Sequence, residues 1–306
     1  MHVLVSGGTG FIGKHLIAFL LAEGWRITVI TRSPEKAAQI LPGEVRCFSW
    51  QELDTPPAPD VFQGIDGVVN LAGTSIGNRR WTQQVKQEIL SSRISTTRAV
   101  VSAVRRGVLR PQVLVNASAV GYYGPRGPEK ITEEEVPGHD FLAGVCQAWE
   151  KEAYQLQDPA VRVVTLRTGL VLGQEGALPR MVLPYRFYLG GPLGRGNQWV
   201  SWIHVQDLIR MIQFILTREN IRGPVNGTAP NPVTMREFAH QLGQVLHRPA
   251  WFPVPEPLLK LALGQMAEML LHGQRVIPAK MLAAGFPFAY PDLKPALADL
   301  LERRKT

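Results

Sequence analysis

The chain has 306 residues, 45% of them hydrophobic, so it can bury one large or two modest cores and is not a disordered chain. Its formal net charge is +8 at pH 7, yet the basic residues are scattered and the densest run, Arg303-Arg304-Lys305, is a terminal tail, which argues against nucleic acid as a partner. Two cysteines (Cys47 and Cys146) make no disulfide framework, no Cys/His cluster has metal spacing, and no apolar run reaches the roughly 18 residues of a membrane span. The expectation is a cytoplasmic protein with no signal peptide, no membrane and no metal.

In chain order, residues 3–6 predict a strand and residues 14–23 an amphipathic helix. Between them lies Gly7-Gly8-Thr9-Gly10-Phe11-Ile12-Gly13, which reads as Gly8-x-Gly10-x-x-Gly13 or as Gly7-x-x-Gly10-x-x-Gly13. Strand, glycine loop and helix in that order point to a dinucleotide. One glycine makes the tight turn, one lets backbone approach a pyrophosphate, and one lets the helix pack on the strand. The free N–H groups and positive pole of the helix then hold the anion. Gly7, Thr9, Gly10, Phe11, Ile12 and Gly13 are the expected contacts.

The second strand, over 26–31, ends in Thr31-Arg32-Ser33. A site for NAD places a carboxylate near here for the ribose hydroxyls. Arg32 instead offers a permanently charged fork that suits a 2′-phosphate, so Thr31 and Arg32 point to NADP(H), with Lys36 in reach of the same turn. Residues 45–48 predict a short third strand and 67–71 a fourth. The fourth runs into Leu71-Ala72-Gly73, small groups that form a second cofactor wall. A helix is expected over 81–106, a strand over 112–117, a helix over 142–157 and a strand over 161–167. Short apolar strands alternating with helices predict an α/β fold, a doubly wound parallel (Rossmann) sheet.

From residue 174 proline and glycine punctuate the chain. A strand is expected over 199–203, a helix over 204–216 and a late strand over 224–226; the chain beyond 234 reads mostly helical. Residues 1–173, completed by about 200–230, are expected to form the dinucleotide-binding domain. Residues 174–199 and 234–306 are expected to form a smaller, mostly helical substrate lobe.

The motifs Gly7 to Gly13, Asn70-Leu71-Ala72-Gly73, Ser118-Ala119-Val120-Gly121-Tyr122-Tyr123-Gly124 and Trp202-Ile203-His204-Val205-Gln206-Asp207-Leu208 resemble those of the extended short-chain dehydrogenase/reductases. Arg79-Arg80-Trp81, Cys146-Gln147-Ala148-Trp149-Glu150, Leu189-Gly190-Gly191-Pro192-Leu193-Gly194 and Gly273-Gln274-Arg275-Val276-Ile277-Pro278 narrow the resemblance to an epimerase-like subfamily with an added C-terminal domain. The resemblance implies that Arg93 and Glu88 meet the cofactor and that backbone over 167–171, ending at Val171, closes over the nicotinamide. It also implies that His204 and Asp207 shape the substrate side. Trp199 and Trp202 read either as stacking platforms or as core.

In that family a Tyr-x-x-x-Lys pair on the helix after the fifth strand moves a proton as hydride moves. This chain has Cys146 and Glu150 in those places. An anion beside a thiol raises its pKa, so Cys146 does not inherit the tyrosine's role. Ser118, Tyr122 and Glu150 are the remaining candidates for a proton path, although the usual hydroxyl position falls on Ala119. Two functions follow. One is an NADP(H)-dependent oxidoreductase acting on a small carbonyl or sugar-like substrate. The other is an NADP(H)-binding regulatory or scaffold protein that has lost turnover, with a protein partner or a homo-oligomer served by the added helical region. An epimerase proper ranks lower, because it relies on the missing tyrosine.

Overall fold

A computed structural model describes residues 1–54 and 60–302; Arg303, Arg304 and Lys305 lie outside the described residues. Its centre is a seven-stranded parallel sheet. The strands are β1 (His2–Ser6), β2 (Arg26–Thr31), β3 (Arg46–Ser49), β4 (Gly67–Asn70), β5 (Val113–Ala119), β6 (Arg162–Thr168) and β7 (Gly223–Gly227). Their spatial order is β7-β6-β5-β4-β1-β2-β3. The chain steps outward from β1 through β2 to β3, then crosses back to β4 on the other side of β1. The carboxyl ends of β1 and β4 therefore flank the switch point, where an open parallel sheet forms its crevice.

Every residue of β1 is buried, because helices cover both faces of the sheet. Val3 and Val5 pack into one cluster with Leu16, Ile17 and Leu20 of α1 (Phe11–Ala22) and with Met211, Ile212 and Ile215 of α4 (Val205–Thr217). Leu4 points the other way, with Val68, Leu114 and Val100, Val101 and Val104 of α2 (Gln83–Arg105). That alternation is the period of two expected of a strand. Helix α3 (Phe141–Ala153) lies beside α2 on this second face.

A third cluster holds the C-terminal helical part. Tyr185, Trp202, Phe238, Leu242, Leu297 and Leu300 join α5 (Met235–Leu246) to α6 (Leu293–Glu302). Trp202 is fully buried and donates to the Asn231 carbonyl, so it is core. The expected strand over 199–203 is two strands. Trp199–Val200 pairs antiparallel with Val233–Thr234, and Trp202–His204 pairs parallel with Leu170–Leu172. Ser201 divides them, because its hydroxyl is taken by Gln274 O and Val276 N (2.7 and 2.9 Å).

His204 and Asp207 turn inward. His204 caps α4 by accepting from Gln206 N, stacks on Tyr290 at 3.9 Å and lies 3.4 Å from the Asp299 carboxylate. Asp207, fully buried, accepts from Ala289 N (2.9 Å) and Tyr290 N (2.8 Å) and pairs with Arg210. Both residues fasten the C-terminal segment to α4, and the substrate-side role implied by the resemblance is not what their contacts show. Among the described residues no helix is long and apolar enough to cross a membrane.

Asp207→Ala would leave two buried backbone donors without acceptors. It is expected to lower the unfolding free energy by about 2–4 kcal/mol, read from urea denaturation followed by far-ultraviolet circular dichroism.

Candidate functional site

The glycine loop leaves β1 at the switch point. Gly7 adopts φ +70°, a left-handed conformation that favours glycine, and a Cβ there would stand 2.8 Å from the Leu71 carbonyl carbon. A Cβ on Gly13 would meet Gly7 O at 2.4 Å, so α1 can lie on the loop only without a side chain. Of the two readings of the motif, the strained turn and the close helix contact fit Gly7-x-x-Gly10-x-x-Gly13. Gly10 is the N-cap of α1 and brings no side chain to its first N–H groups. Thr9 and Gly10 lie at the outer edge of the loop, while Ile12 packs into the core. Phe11 stacks edge-on against His15 and lies against Gly173 and Gly176, where a Cβ would clash with its ring.

The second wall, Leu71-Ala72-Gly73, is held from above by α2. Ser92 Oγ accepts from Thr74 N (3.1 Å), Arg93 donates to Thr74 O (3.0 Å), and the Arg93 side chain covers Gly73. Burial lowers the Arg93 pKa, and its guanidinium lies 5.0 Å from the Trp149 ring. Thr31 ends β2 and Arg32 follows it directly, with its side chain exposed. Glu88 is engaged by Arg79 and Gln84 and is not brought into this wall. Val171 pairs with Ile203 in the short sheet beyond β6 and packs on the core beneath it.

Under the crevice runs a buried polar relay across five elements. Ser6 donates to Asn70, which donates to Asn116 Oδ1 (2.6 Å) and Thr97 Oγ1 (2.9 Å); Trp149 donates to the same Thr97 oxygen (2.9 Å). It joins β1, β4, β5, α2 and α3 at the sheet's carboxyl edge. Sequence reasoning missed Ser92, Thr97, Asn70 and Asn116. The available signal was the polar run at 92, 93, 96 and 97 on a helix whose next turns are apolar.

The candidate catalytic residues form a second network. Helix α3 starts at Asp140, which accepts from Ala143 N (2.7 Å), and places Cys146 and Glu150 one turn apart. Strand β5 runs to Ala119, two residues beyond its expected end, so Ser118 lies within the strand, opposite Arg167 of β6. Glu150 Oε1 accepts from Ser118 Oγ (2.7 Å) and from Arg167 Nε (2.8 Å), and Oε2 accepts from Arg167 Nη2 (2.8 Å). Glu150 and Arg167 are each under 5% exposed. Arg167 Nη1 also donates to Tyr123 Oη (3.0 Å), and its guanidinium lies 3.4 Å from the centre of the Tyr122 ring. Tyr122 is thus a face for a cation.

Electrostatics follow from burial and this pair. Burial opposes the charge on Arg167, but the hydrogen bonds and charge of Glu150 outweigh it and raise the pKa above its ordinary value. Burial, and next the Glu150 charge, push the Cys146 thiol up to about 12. Burial pushes the Tyr123 phenol, which donates to Asn226 Oδ1 (2.7 Å), up to about 12 as well. Cys146 is therefore a protonated, unreactive thiol at neutral pH.

The network continues into the C-terminal segment. Glu133 Oε1 accepts from Asn226 N (3.0 Å) and Lys280 N (3.3 Å), and Asn226 donates to Ile277 O (3.0 Å). Gln274 donates to Val120 O (2.8 Å), in the turn Val120–Tyr123 that follows Ser118.

Residues 3–226 match the model of the NAD dependent epimerase/dehydratase family, and residues 254–300 match a domain of unknown function, DUF1731. The chain is 41% identical over 307 residues to "Epimerase family protein YfhF" of Bacillus subtilis (strain 168), covering 100% of both. It is 42% identical over 312 residues to "Epimerase family protein SDR39U1 homolog, chloroplastic" of Arabidopsis thaliana, covering 99% of this chain and 87% of that one. Among solved structures it is similar to human epimerase family protein SDR39U1 (isoform2) with NADPH, with a TM-score of 0.90, 37% identity and 99% of each chain covered.

Glu150→Gln would leave Arg167 buried without its counter-charge. Loss of about 3–5 kcal/mol of unfolding free energy is expected from urea denaturation, while the double change Glu150→Leu/Arg167→Met is expected to lose less than the single one.

Proposed function

The chain belongs to the NAD dependent epimerase/dehydratase family, and on that premise we propose that it is an NADP(H)-dependent oxidoreductase acting on a small carbonyl or sugar-like substrate. The observation that carries the reading is the cradle at the switch point. There Gly7 and Gly13 leave no room for a Cβ, Gly10 leaves the start of α1 uncovered, and Arg32 directly follows β2, where a carboxylate would select NAD. The NADPH in the human relative supports the same cofactor. Gly7, Thr9, Gly10, Phe11, Ile12 and Gly13 would hold the pyrophosphate, Thr31 and Arg32 the 2′-phosphate, and Leu71, Ala72 and Gly73, backed by Arg93, the second wall. Residues 1–173, completed by about 200–230, form the cofactor half in this reading. Residues 174–199 and 234–306 form the substrate lobe, in a cytoplasmic protein.

When bound, the nicotinamide supplies hydride transfer, which needs no protein nucleophile. The chain's own task is then to orient an oxygen and move one proton. In the oxidative direction a substrate hydroxyl would pass its proton to Ser118 Oγ as the Ser118 proton moves to Glu150 Oε1, along the 2.7 Å hydrogen bond already formed. Arg167 holds that carboxylate in place through both of its oxygens (2.8 Å each). Tyr122, its ring against the Arg167 guanidinium, walls the same turn.

The same ion pair favours a second reading. Glu150 paired with Arg167 and Cys146 held as a thiol fill the places of the Tyr-x-x-x-Lys pair with neither a phenol nor an ammonium group. A chain that binds NADP(H) and regulates or scaffolds a partner needs nothing more.

Arg32→Ala is expected to weaken NADPH about 10- to 100-fold, the worth of one or two charged hydrogen bonds, and NADH little. Calorimetric titration checks this, and equal weakening of both overturns the cofactor assignment. Consumption of NADPH, followed by its absorbance against aldehydes, ketones, quinones and sugars, separates the two functions. Turnover reduced about 100-fold by Ser118→Ala, with NADPH affinity intact, is the outcome expected of the enzyme. Tight NADPH binding without turnover across the panel assigns the regulatory reading.

A further inference from the structure

Among the described residues, large apolar side chains are most densely exposed in two turns of the C-terminal part. Leu183, Phe187, Tyr188 and Leu189 stand at the end of helix Leu178–Arg186, and Trp251 and Phe252 stand before helix Glu256–Leu263. Phe187 is 67% exposed and Trp251 74%. The turns are one body, because Trp251 Nε1 donates to Tyr188 O (3.2 Å) and Phe252 N to Gly190 O (3.0 Å). Monomeric proteins rarely leave such a patch in water without a use for it.

Backbone strain falls at the same place. The two non-glycine residues with positive φ among the described residues are Tyr188 (φ +60°) and His247 (φ +53°). A bulky side chain is disfavoured there. Tyr188 is nevertheless held, by the Trp251 indole on its carbonyl and the Arg248 guanidinium 4.7 Å from its ring. His247 is the residue that turns the chain from α5 into Arg248. Strain maintained so that apolar groups face solvent points to a surface that works when covered.

Basic residues outnumber acidic ones around the patch. Arg186, Arg195, Arg236 and Arg248 are exposed beside it. Of the acidic neighbours, Glu237 is taken by the Thr234 cap of α5 and Glu256 by Lys260 (2.8 Å). A cavity of about 530 Å³ next to Trp251 is lined by Arg195, Arg236, Glu237 and His240, with Pro192 and Pro253 as walls. A second copy of this chain would set these guanidinium groups against one another. The apolar groups stand at the tips of turns, so a fluid boundary accepts them without a matching shape, and indole and phenol rings with arginine beside them suit the headgroup level.

We propose that these two turns dock the protein on an anionic phospholipid surface. Phe187, Leu189, Trp251 and Phe252 enter the boundary between headgroups and acyl chains, and the arginines meet lipid phosphates. The expectation of no membrane partner rested on the lack of a spanning run and does not reach a surface of this kind.

Flotation of the full-length protein with vesicles tests it. The protein is expected to float with phosphatidylcholine/phosphatidylglycerol vesicles, to stay behind with phosphatidylcholine alone, and to be released by added salt but not by free inorganic phosphate at low ionic strength. The pair Phe187→Ser/Trp251→Ser keeps the charge, and Arg186→Glu/Arg248→Glu keeps the apolar tips. Each is expected to lower binding roughly tenfold or more with an unchanged unfolding midpoint. No flotation with anionic vesicles overturns the proposal. So does flotation retained by the Phe187→Ser/Trp251→Ser protein, which would reduce the effect to net charge. A dimer in sedimentation velocity that this same variant abolishes would also overturn it, assigning the face to a second copy of the chain.

Discussion

The buried pair of Glu150 and Arg167 is the constraint around which the carboxyl edge of the sheet is arranged. Two charges removed from water are stable only if nearly every donor and acceptor among them is satisfied. Ser118 takes one carboxylate lone pair, and Tyr123 and the Glu133 carbonyl take guanidinium protons. Each of those groups comes from a different element. Strands β5 and β6, helix α3 and the turn after β5 are thereby fixed to one another at the spot where chemistry on a bound dinucleotide would take place.

The pair also decides what helix α3 presents towards the sheet. A tyrosine and a lysine one turn apart would present a phenol and a cation on the face of α3. Here the anion, Glu150, sits on the helix and the cation, Arg167, on the strand, so the charge pair joins helix to sheet. The thiol of Cys146 is sealed beneath it and pushed up to about 12 by burial and by its acidic neighbour.

Most of the fold was legible because the glycine loop and the apolar strands obey local rules. Gly7 and Gly13 are glycines for reasons of space that the spacing alone announces. The doubly wound parallel sheet followed from the alternation of strands and helices, since a right-handed crossover leaves few alternatives. What escaped was non-local. Nothing near residue 118 in the chain indicates that Arg167 stands opposite it, and nothing near residue 70 indicates Asn116 and Thr97. Asp207 shows the converse, a charged residue placed by motif whose partners, the backbone at 289–290, depend on how a distant segment returns. Ser201 split a strand because of a contact 73 residues away.

The segment from Gly273 to Lys280 threads between parts of the sheet domain, with Gln274 on the Val120 carbonyl, Ile277 on Asn226 and Lys280 on Glu133. Two family models divide the chain between residues 226 and 254, yet these bonds cross that division and end one step from the Glu150 and Arg167 pair. The boundary between the two family matches is therefore not a boundary in the packing, and cutting the chain there would strip acceptors and donors from the interior of the sheet domain.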